Sequence, residues 1–501
     1  MTHVLVMGLP LAAGLALALL AGRRGWAPPL AVALAVGAVL RVVVMVIAAR
    51  DTFQPYDLDV DFRDTADAVL AGHDPLVVLR EGGWHFLPML AYLLAGVRQV
   101  ADTLGVPWEY AGRVVPVLAD LALVPLVAKL STDPSSNVRA LRAFQYACAP
   151  PVLMVSALHG QFGPITLALG AAALLAARGG RAQLAGVLIG LSVTSANWSA
   201  LLLPGVLLAL SAWRGRVVVL VWTAVVPLAF LLSGVVFLGT PVDRLPDTLS
   251  AAMSTRPVAG DWGWSAVVSG GDQVVSDGYG TVGTPLLAAA VLAALWWWRR
   301  SDPVTLTLAL LLVFLIVTFR FGTQYLAWPV PYLLMRSGRG TWPAITVSGV
   351  WAAFGYLYMS RLEPVEWREA HVWWAFSSLV VVALFVYALP ERRRQGTPGA
   401  DVGDGGADAG GHAVPGTMVT AEARSRSRAV PPNEARAVRS AAWAKNAVAA
   451  FSRMVTRVSV TAAGRPPTVA SVRRSGAGRS TPIAIQPGSG APILAGGHCR
   501  A

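Results

Sequence analysis

Charge is what this chain has least of. Asp, Glu, Lys and Arg make up 13% of its 501 residues, about half the roughly 25% of an ordinary soluble chain. With 55% hydrophobic residues gathered in long uncharged runs, this excludes an ordinary cytosolic enzyme and predicts a polytopic membrane protein. Lysine is nearly missing. Lys129 and Lys445 are the two in the chain and every other cation is Arg, the pattern of a GC-rich, bacterial coding sequence. Cysteine is as scarce: Cys148 sits inside an apolar run and Cys499 near the end. Neither has a plausible partner, which excludes a disulfide framework and a Cys-based metal site. Internal repeats, a Gly-rich phosphate loop and a soluble nucleotide-binding domain are also missing. The net charge of +13 is no nucleic-acid footprint. From Glu391 onward there are 16 Lys and Arg against 6 Asp and Glu, whereas the first 390 residues hold 24 against 21. The basicity belongs to a tail.

Apolar runs near or above spanning length recur through the first 390 residues. They predict spans at about 4–20, 27–48, 110–129, 143–158, 164–177, 182–195, 198–212, 217–238, 283–298, 304–319, 323–335, 341–358 and 372–390. Several are short, so some must be broken, tilted or half-buried, which is tolerated where protein or a wet cavity covers the backbone. The first run lacks the positive region of a signal peptide and is read as a span. The positive-inside rule puts Arg23, Arg24, Lys129, Arg139, Arg142, Arg178, Arg181, Arg214, Arg216, Arg299, Arg300, Arg336, Arg339 and Arg392–Arg394 in the cytoplasm. Parity then leaves one apolar segment too many between Arg24 and Lys129. The weakest is Phe86–Val97, whose twelve residues rise only about 18 Å as helix; it is laid along the outer interface. The expected fold is an all-α polytopic membrane protein of about 13 transmembrane helices, N-terminus outside and C-terminus cytoplasmic. A transmembrane domain fills 1–390, and 391–501 is a basic, mostly disordered cytoplasmic tail. Within the tail, 439–458 carries a thin apolar stripe among cations, readable as a basic interfacial helix or as a solvated charged segment.

This arrangement puts the polar segments 50–109, 159–163, 196–197, 239–282, 320–322 and 359–371 on the outer side. Four carboxylates, Asp57, Asp59, Asp61 and Asp64, fall within eight residues. Like charges raise one another's pKa unless solvated or paired, and a carboxylate beside the membrane is a candidate general base or an oxygen ligand for a divalent cation. A solvated acidic loop is the plainer alternative. The stretch 66–71 reads as a helix stopped by Gly72, with Pro75 beyond it. The aromatics of Trp84–Phe86 suit a sugar surface or headgroup anchoring. His159 and Gln161, at a break between two spans, could bond a polar ligand; the plainer alternative is a satisfied structural histidine. Arg320 is an outside cation against the general bias. It offers a planar fork for phosphate, or a head that snorkels to lipid phosphates.

Taken together, these patches resemble the GT-C glycosyltransferases, most closely the polyprenyl-phosphate-sugar-dependent mannosyltransferases and related bacterial membrane enzymes. The residues that carry the resemblance are Asp59-x-x-Phe62, Gly72-x-x-Pro75-Leu76, His159-Gly160-Gln161-Phe162 and Gln324-Tyr325-Leu326-Ala327-Trp328-Pro329-Val330-Pro331. It covers about residues 27–390 and none of the tail. Three positions depart from the pattern: Gly163 stands where an acidic residue often ends the His-Gly-Gln motif, Asn197 where a basic residue is common, and Leu76 where an aromatic follows Gly-x-x-Pro.

The resemblance implies a lipid-linked donor, a polyprenyl monophosphate sugar used on the outer face of the plasma membrane, and a glycolipid or glycan acceptor of the cell envelope. The implied reaction is an inverting transfer of a hexose, mannose first. Asp59 is the first choice of general base, then Asp57, then Asp61. Arg320 and His159 hold the leaving phosphate. Gln161, Trp198, Gln324 and Tyr325 line sugar or phosphate, and the loop 240–281, with Trp262, Trp264 and Tyr279, is a candidate acceptor lid. The expected partners are membrane lipids and these two substrates, without nucleic acid. No metal and no cofactor is expected, the lipid-linked sugar being a co-substrate. Two alternatives come from other classes. A lipid-linked sugar flippase or transporter should show matched broken helices in two halves, which this sequence lacks. A non-catalytic partner in cell-envelope assembly fits Gly163 and Asn197.

Overall fold

The computed structural model describes residues 2–79, 84–253 and 258–391. The tail, with its possible helix at 439–458, lies outside the described residues. The fold is helical apart from one two-stranded antiparallel ribbon, β1 (Val258–Ala259) against β2 (Val274–Val275). In chain order the helices used below are α1 (Thr2–Arg24), α2 (Leu30–Ala49), α3 (Phe62–Leu70), α4 (Pro88–Leu104), α5 (Trp108–Leu130), α6 (Ser136–Ala147), α7 (Pro150–Leu153), α8 (Gly163–Arg178), α9 (Ala182–Ser195), α10 (Leu203–Leu208), α11 (Trp213–Phe237), α12 (Gly263–Ser269), α13 (Asp277–Trp298), α14 (Pro303–Val317), α15 (Val330–Met335), α16 (Thr341–Leu357) and α17 (Pro364–Tyr387). Two wider π turns, Asp57–Asp61 and Met154–His159, run into α3 and out of α7.

Among the described residues, six helices are long and apolar enough to cross a membrane: Val4–Arg24, Leu30–Ala49, Trp108–Leu130, Trp213–Phe237, Asp277–Trp298 and Pro364–Tyr387. Shorter apolar helices accompany them at Pro150–His159, Gly163–Arg178, Ala182–Ser195, Asn197–Leu208 and Pro303–Val317. The chain is thus a multi-pass membrane protein. Each of the 13 apolar runs meets helix, but length and composition support six crossings rather than the full count. The run at 143–158 is broken because α6 ends at Ala147 and Pro150 and Pro151 start a new helix; proline supplies no N–H and is at home in a first turn. The run at 323–335 is likewise split, into a 3₁₀ turn (Thr323–Ala327) and α15. Phe86–Val97 enters α4, an amphipathic helix that begins at Pro88, packs on α3 and ends at Gly105, whose φ is 65°.

The centre of the bundle is polar at one point. Arg41 of α2 and Asp120 of α5 are fully buried and form an ion pair at 2.9 Å. Arg41 also donates to the carbonyls of Gly37 and Ala147, at 3.0 and 2.8 Å. Asp120 accepts from the Tyr146 hydroxyl at 2.5 Å and the Ser156 hydroxyl at 2.6 Å. One charge pair therefore joins α2, α5, α6 and the second π turn. In an apolar medium such charges persist only when paired and fully bonded.

Contacts sort the loops to two ends. At one end Lys129, Arg178 and Arg336 lie near one another's segments: Arg178 donates to Leu130 O at 3.3 Å, Thr132 N to Met335 O at 2.9 Å, and Arg336 pairs with Asp302 at 3.5 Å. The described parts of 50–109, 239–282 and 359–371, with the turn at 319–322, meet at the other, through Asp51 with Arg361, Thr240 with Asp74, and Ser265 with Phe319 O. Removing one member of the central pair strands the other in the core, so Asp120→Ala should cost about 3–5 kcal/mol. Thermal unfolding in detergent reads this as a large fall in midpoint for the single variant, with the double variant Arg41→Met/Asp120→Leu recovering much of it.

Candidate active site

The site is assembled by the two π turns. The first is pinned to α5 by the Trp108 indole, which donates to Leu58 O at 2.7 Å. Leu58 is buried in a slot bounded by two glycines. A Cβ on Gly112 would stand 2.7 Å from Leu58 Cδ1, and one on Gly160 3.2 Å from it. Gly160 also has φ 78°, a conformation that glycine adopts without strain. The slot brings Asp57 against the second turn.

Gln161 Nε2 donates to Asp57 Oδ2, and His159 Nε2 lies 3.4 Å from the same oxygen. Both contacts fall on Oδ2, so Oδ1 has no partner among the described residues. The His159 imidazole is 2% exposed and its Nδ1 meets the Tyr356 hydroxyl at 2.8 Å. A ring hydrogen on Nε2 faces Asp57 Oδ2, and Nδ1 faces the Tyr356 hydroxyl. Burial by itself would push the Asp57 carboxyl up. The His159 hydrogen bond and charge, the His85 charge and the Gln161 amide outweigh it and hold the group below the usual carboxylate range.

The other carboxylates go elsewhere. Asp59 pairs with Arg63 at 2.8 Å, in turn bonded to Glu109 at 2.9 Å, and its side chain is 42% exposed. Asp61 has its pKa pushed up to about 7 by burial and by the charges of Asp57 and Asp64. Burial first, then the Asp67 charge, raises Asp64. Among the described residues no three His, Cys, Asp or Glu side chains come together as a metal site, so the four carboxylates do not converge on one cation position. Phe162 continues the motif by stacking on Phe62, centroids 4.2 Å apart.

The second motif forms an aromatic column. Trp198 stacks on Trp328 at 3.7 Å, and Tyr325 on Trp328 at 4.2 Å. Tyr325 is within electrostatic reach of both Arg320 and Asp57, which places that cation and that carboxylate in one neighbourhood. Burial lowers the Arg320 pKa, against a smaller opposing effect of Tyr325. Beside this column opens a cleft with a cavity volume of about 80 Å³, partly open to solvent, whose lining includes His159, Tyr356, Gln324, Arg113, Arg361 and Asp261.

Of the residues singled out in the sequence, His159 and Gln324 line the cleft; Asp57 and Gln161 stand behind His159, and Tyr325 stands in the column with Trp198 on the other face of Trp328, none of these four nor Arg320 being among the lining residues. The structure sets Asp59 in a surface ion pair. Trp262 is fully buried, stacked on Phe321 at 4.0 Å and donating to Leu315 O at 2.7 Å. Trp264 is half-buried and donates to Val317 O at 2.7 Å. Both indoles anchor the loop, and neither lines the cleft.

Several cleft residues carry no motif. Arg113 is fully buried and donates to Leu158 O at 2.8 Å and Gln54 Oε1 at 2.8 Å; its charge inside an apolar helix was the available signal. Arg361, held by Asp51, and Tyr356 offered none.

No curated protein matches the chain. Residues 84–320 match the model of glycosyltransferase family 87, a GT-C-type membrane glycosyltransferase family. The match includes His159, Gln161, Trp198 and Arg320 and begins after the carboxylate turn. The resemblance drawn from the motifs is borne out over residues 84–320, which are similar to a GT-C-type membrane glycosyltransferase family, and the match supports a membrane glycosyltransferase.

Proposed function

We propose that this glycosyltransferase moves a hexose, mannose first, from a polyprenyl monophosphate donor to a cell-envelope glycolipid or glycan acceptor on the outer face of the plasma membrane. The observation that carries the reading is the Asp57 carboxylate, fixed through Oδ2 by Gln161 and His159 with Oδ1 left to accept a proton. Among the three candidate carboxylates this geometry favours Asp57 over Asp59, whose oxygen is taken by Arg63, and over Asp61.

The reaction would be a single inverting displacement. Asp57 Oδ1 takes the proton of the acceptor hydroxyl as its oxygen bonds to the anomeric carbon. The anomeric carbon–phosphate oxygen bond breaks, and the electron pair leaves with polyprenyl phosphate. General-base help of this kind is worth roughly 10²–10⁴-fold. Arg320 would face the charge that develops on the leaving phosphate, with Tyr325 beside it, and preorganised charge of that kind is often the largest catalytic contribution. His159, held by Tyr356, orients the base. Gln324 on the cleft wall would bond sugar or phosphate.

The outer-face assignment rests on the Arg-rich end of the bundle lying opposite this cleft, which the positive-inside rule makes cytoplasmic. It gives an N-terminus outside and a C-terminus inside. It also suits a donor that brings its own phosphate leaving group into a compartment without nucleotides.

Two measurements test the reading. In membranes supplied with polyprenyl-phosphate mannose, Asp57→Asn should lower transfer by about 10²-fold or more, and Asp59→Asn by much less. Equal loss in both, or full activity of Asp57→Asn, would remove Asp57 as base. The second concerns Asp61, whose pKa rises from 3.8 to about 7 on folding. The folded state prefers its protonated form, so stability falls as pH climbs from about 4 to about 7. Asp61→Asn should therefore melt several degrees above the wild type at pH 8, the gap closing toward pH 4.

A further inference from the structure

A second His–Asp pair lines the same cleft. Asp261 follows β1 and His371 lies on α17, and His371 Nε2 meets Asp261 Oδ1 at 2.7 Å. His371 Nδ1 faces Gly271 O at 2.9 Å. A carbonyl oxygen only accepts, so Nδ1 carries a hydrogen, and a further proton is shared between Nε2 and Oδ1. The contact fixes the carboxylate's orientation and uses Oδ1. Oδ2 keeps only a 3.4 Å contact from Gln273 Nε2, so a nearly buried carboxylate on the cleft wall retains acceptor capacity. The approach is tight: a Cβ on Gly271 would come within 3.1 Å of Val372 Cα.

Aromatic rings frame this wall. Trp367 stacks on the His371 imidazole at 4.3 Å, and Trp374, itself stacked on Trp351 at 4.1 Å, lies 5.9 Å from it. Both tryptophans line the cleft, as does Gln273. Two lining donors, Arg361 Nε and Trp374 Nε1, have no partner among the described residues; orphaned donors at a cleft wall call for a ligand or water. Flat rings with polar edges, an amide and an oriented carboxylate are the chemistry that holds a sugar ring. The rings take its C–H face, and the carboxylate and amide take its hydroxyls.

We infer that the wall built by Asp261, Gln273, Trp367 and Trp374, with His371 orienting the carboxylate, is the subsite for a neutral sugar ring of the acceptor. The inference rests on the glycosyl-transfer reading above and names the acceptor class. Asp261 Oδ2 is an acceptor, and an uncharged ring with vicinal hydroxyls has the donors to meet it, which a fully ionised phosphate lacks.

Saturation-transfer NMR on the purified full chain in nanodiscs tests it with methyl α-D-mannopyranoside and methyl α-D-glucopyranoside as probes. The wild type should show saturation transfer to at least one glycoside. Asp261→Asn, Gln273→Ala and Trp367→Ala should each weaken it at least fivefold, and acceptor KM should rise by about tenfold in transfer assays. Gln273→Ala removes only two long contacts, at 3.3 and 3.4 Å, so it decides the matter if either of the other variants fails to fold. No signal from the wild type, or an undiminished signal in every folded variant, overturns the subsite. Asp57→Asn separates the two readings, since it should lose transfer and keep glycoside binding. A protein that binds the glycoside yet transfers from no lipid-phosphate sugar would sink the donor reading and leave the subsite standing.

Discussion

An arginine and an aspartate buried at the centre of an apolar bundle set the terms for the rest of this molecule. Neither Arg41 nor Asp120 is stable there alone, because a charge without a partner in such a medium costs several kcal/mol. Together they demand further hydrogen bonds, and these come from Gly37, Ala147, Tyr146 and Ser156. Ser156 is the consequential member. It sits in the π turn that ends at His159, three residues on, so the polar core fixes the turn that carries the imidazole.

From that turn outward, each contact limits the next. The left-handed Gly160 lets the chain reverse and leaves room for Leu58, and Gly112 leaves room on the other side. Leu58 seats the first π turn, and its neighbour Asp57 meets Gln161 and His159. A π turn places successive side chains differently from an α turn, and such turns recur at functional sites. Here two of them meet. One holds a carboxylate and the other the imidazole that keeps it ionised.

Much of this was legible in the sequence, for identifiable reasons. The apolar runs met helix because length and hydropathy are local properties. The His159-Gly160-Gln161-Phe162 motif marked the second turn, and the acidic stretch marked the first. Which of the three carboxylates faces His159 was not legible, since that depends on the width of the helical turn and on the Leu58 slot. Arg63 claimed Asp59, a local i, i+4 pairing that the motif obscured. Trp262 and Trp264 suggested an acceptor lid by type alone, yet their indoles face backbone carbonyls. The polar groups that line the cleft beside them, Asp261, Gln273 and His371, meet across up to 110 residues of chain, a distance that no local pattern spans.

Those two indoles have a consequence beyond anchoring. Leu315 and Val317 lie in the last turn of α14, where helical carbonyls have no donor of their own. Trp262 and Trp264 supply the missing N–H groups, so the helix can stop in apolar surroundings and the chain can turn toward Arg320. Lifting the ribbon would strip both carbonyls, at about 1–3 kcal/mol each. The loop that follows β1, the end of α14 and the start of the segment that carries Arg320 are therefore held together by two indoles.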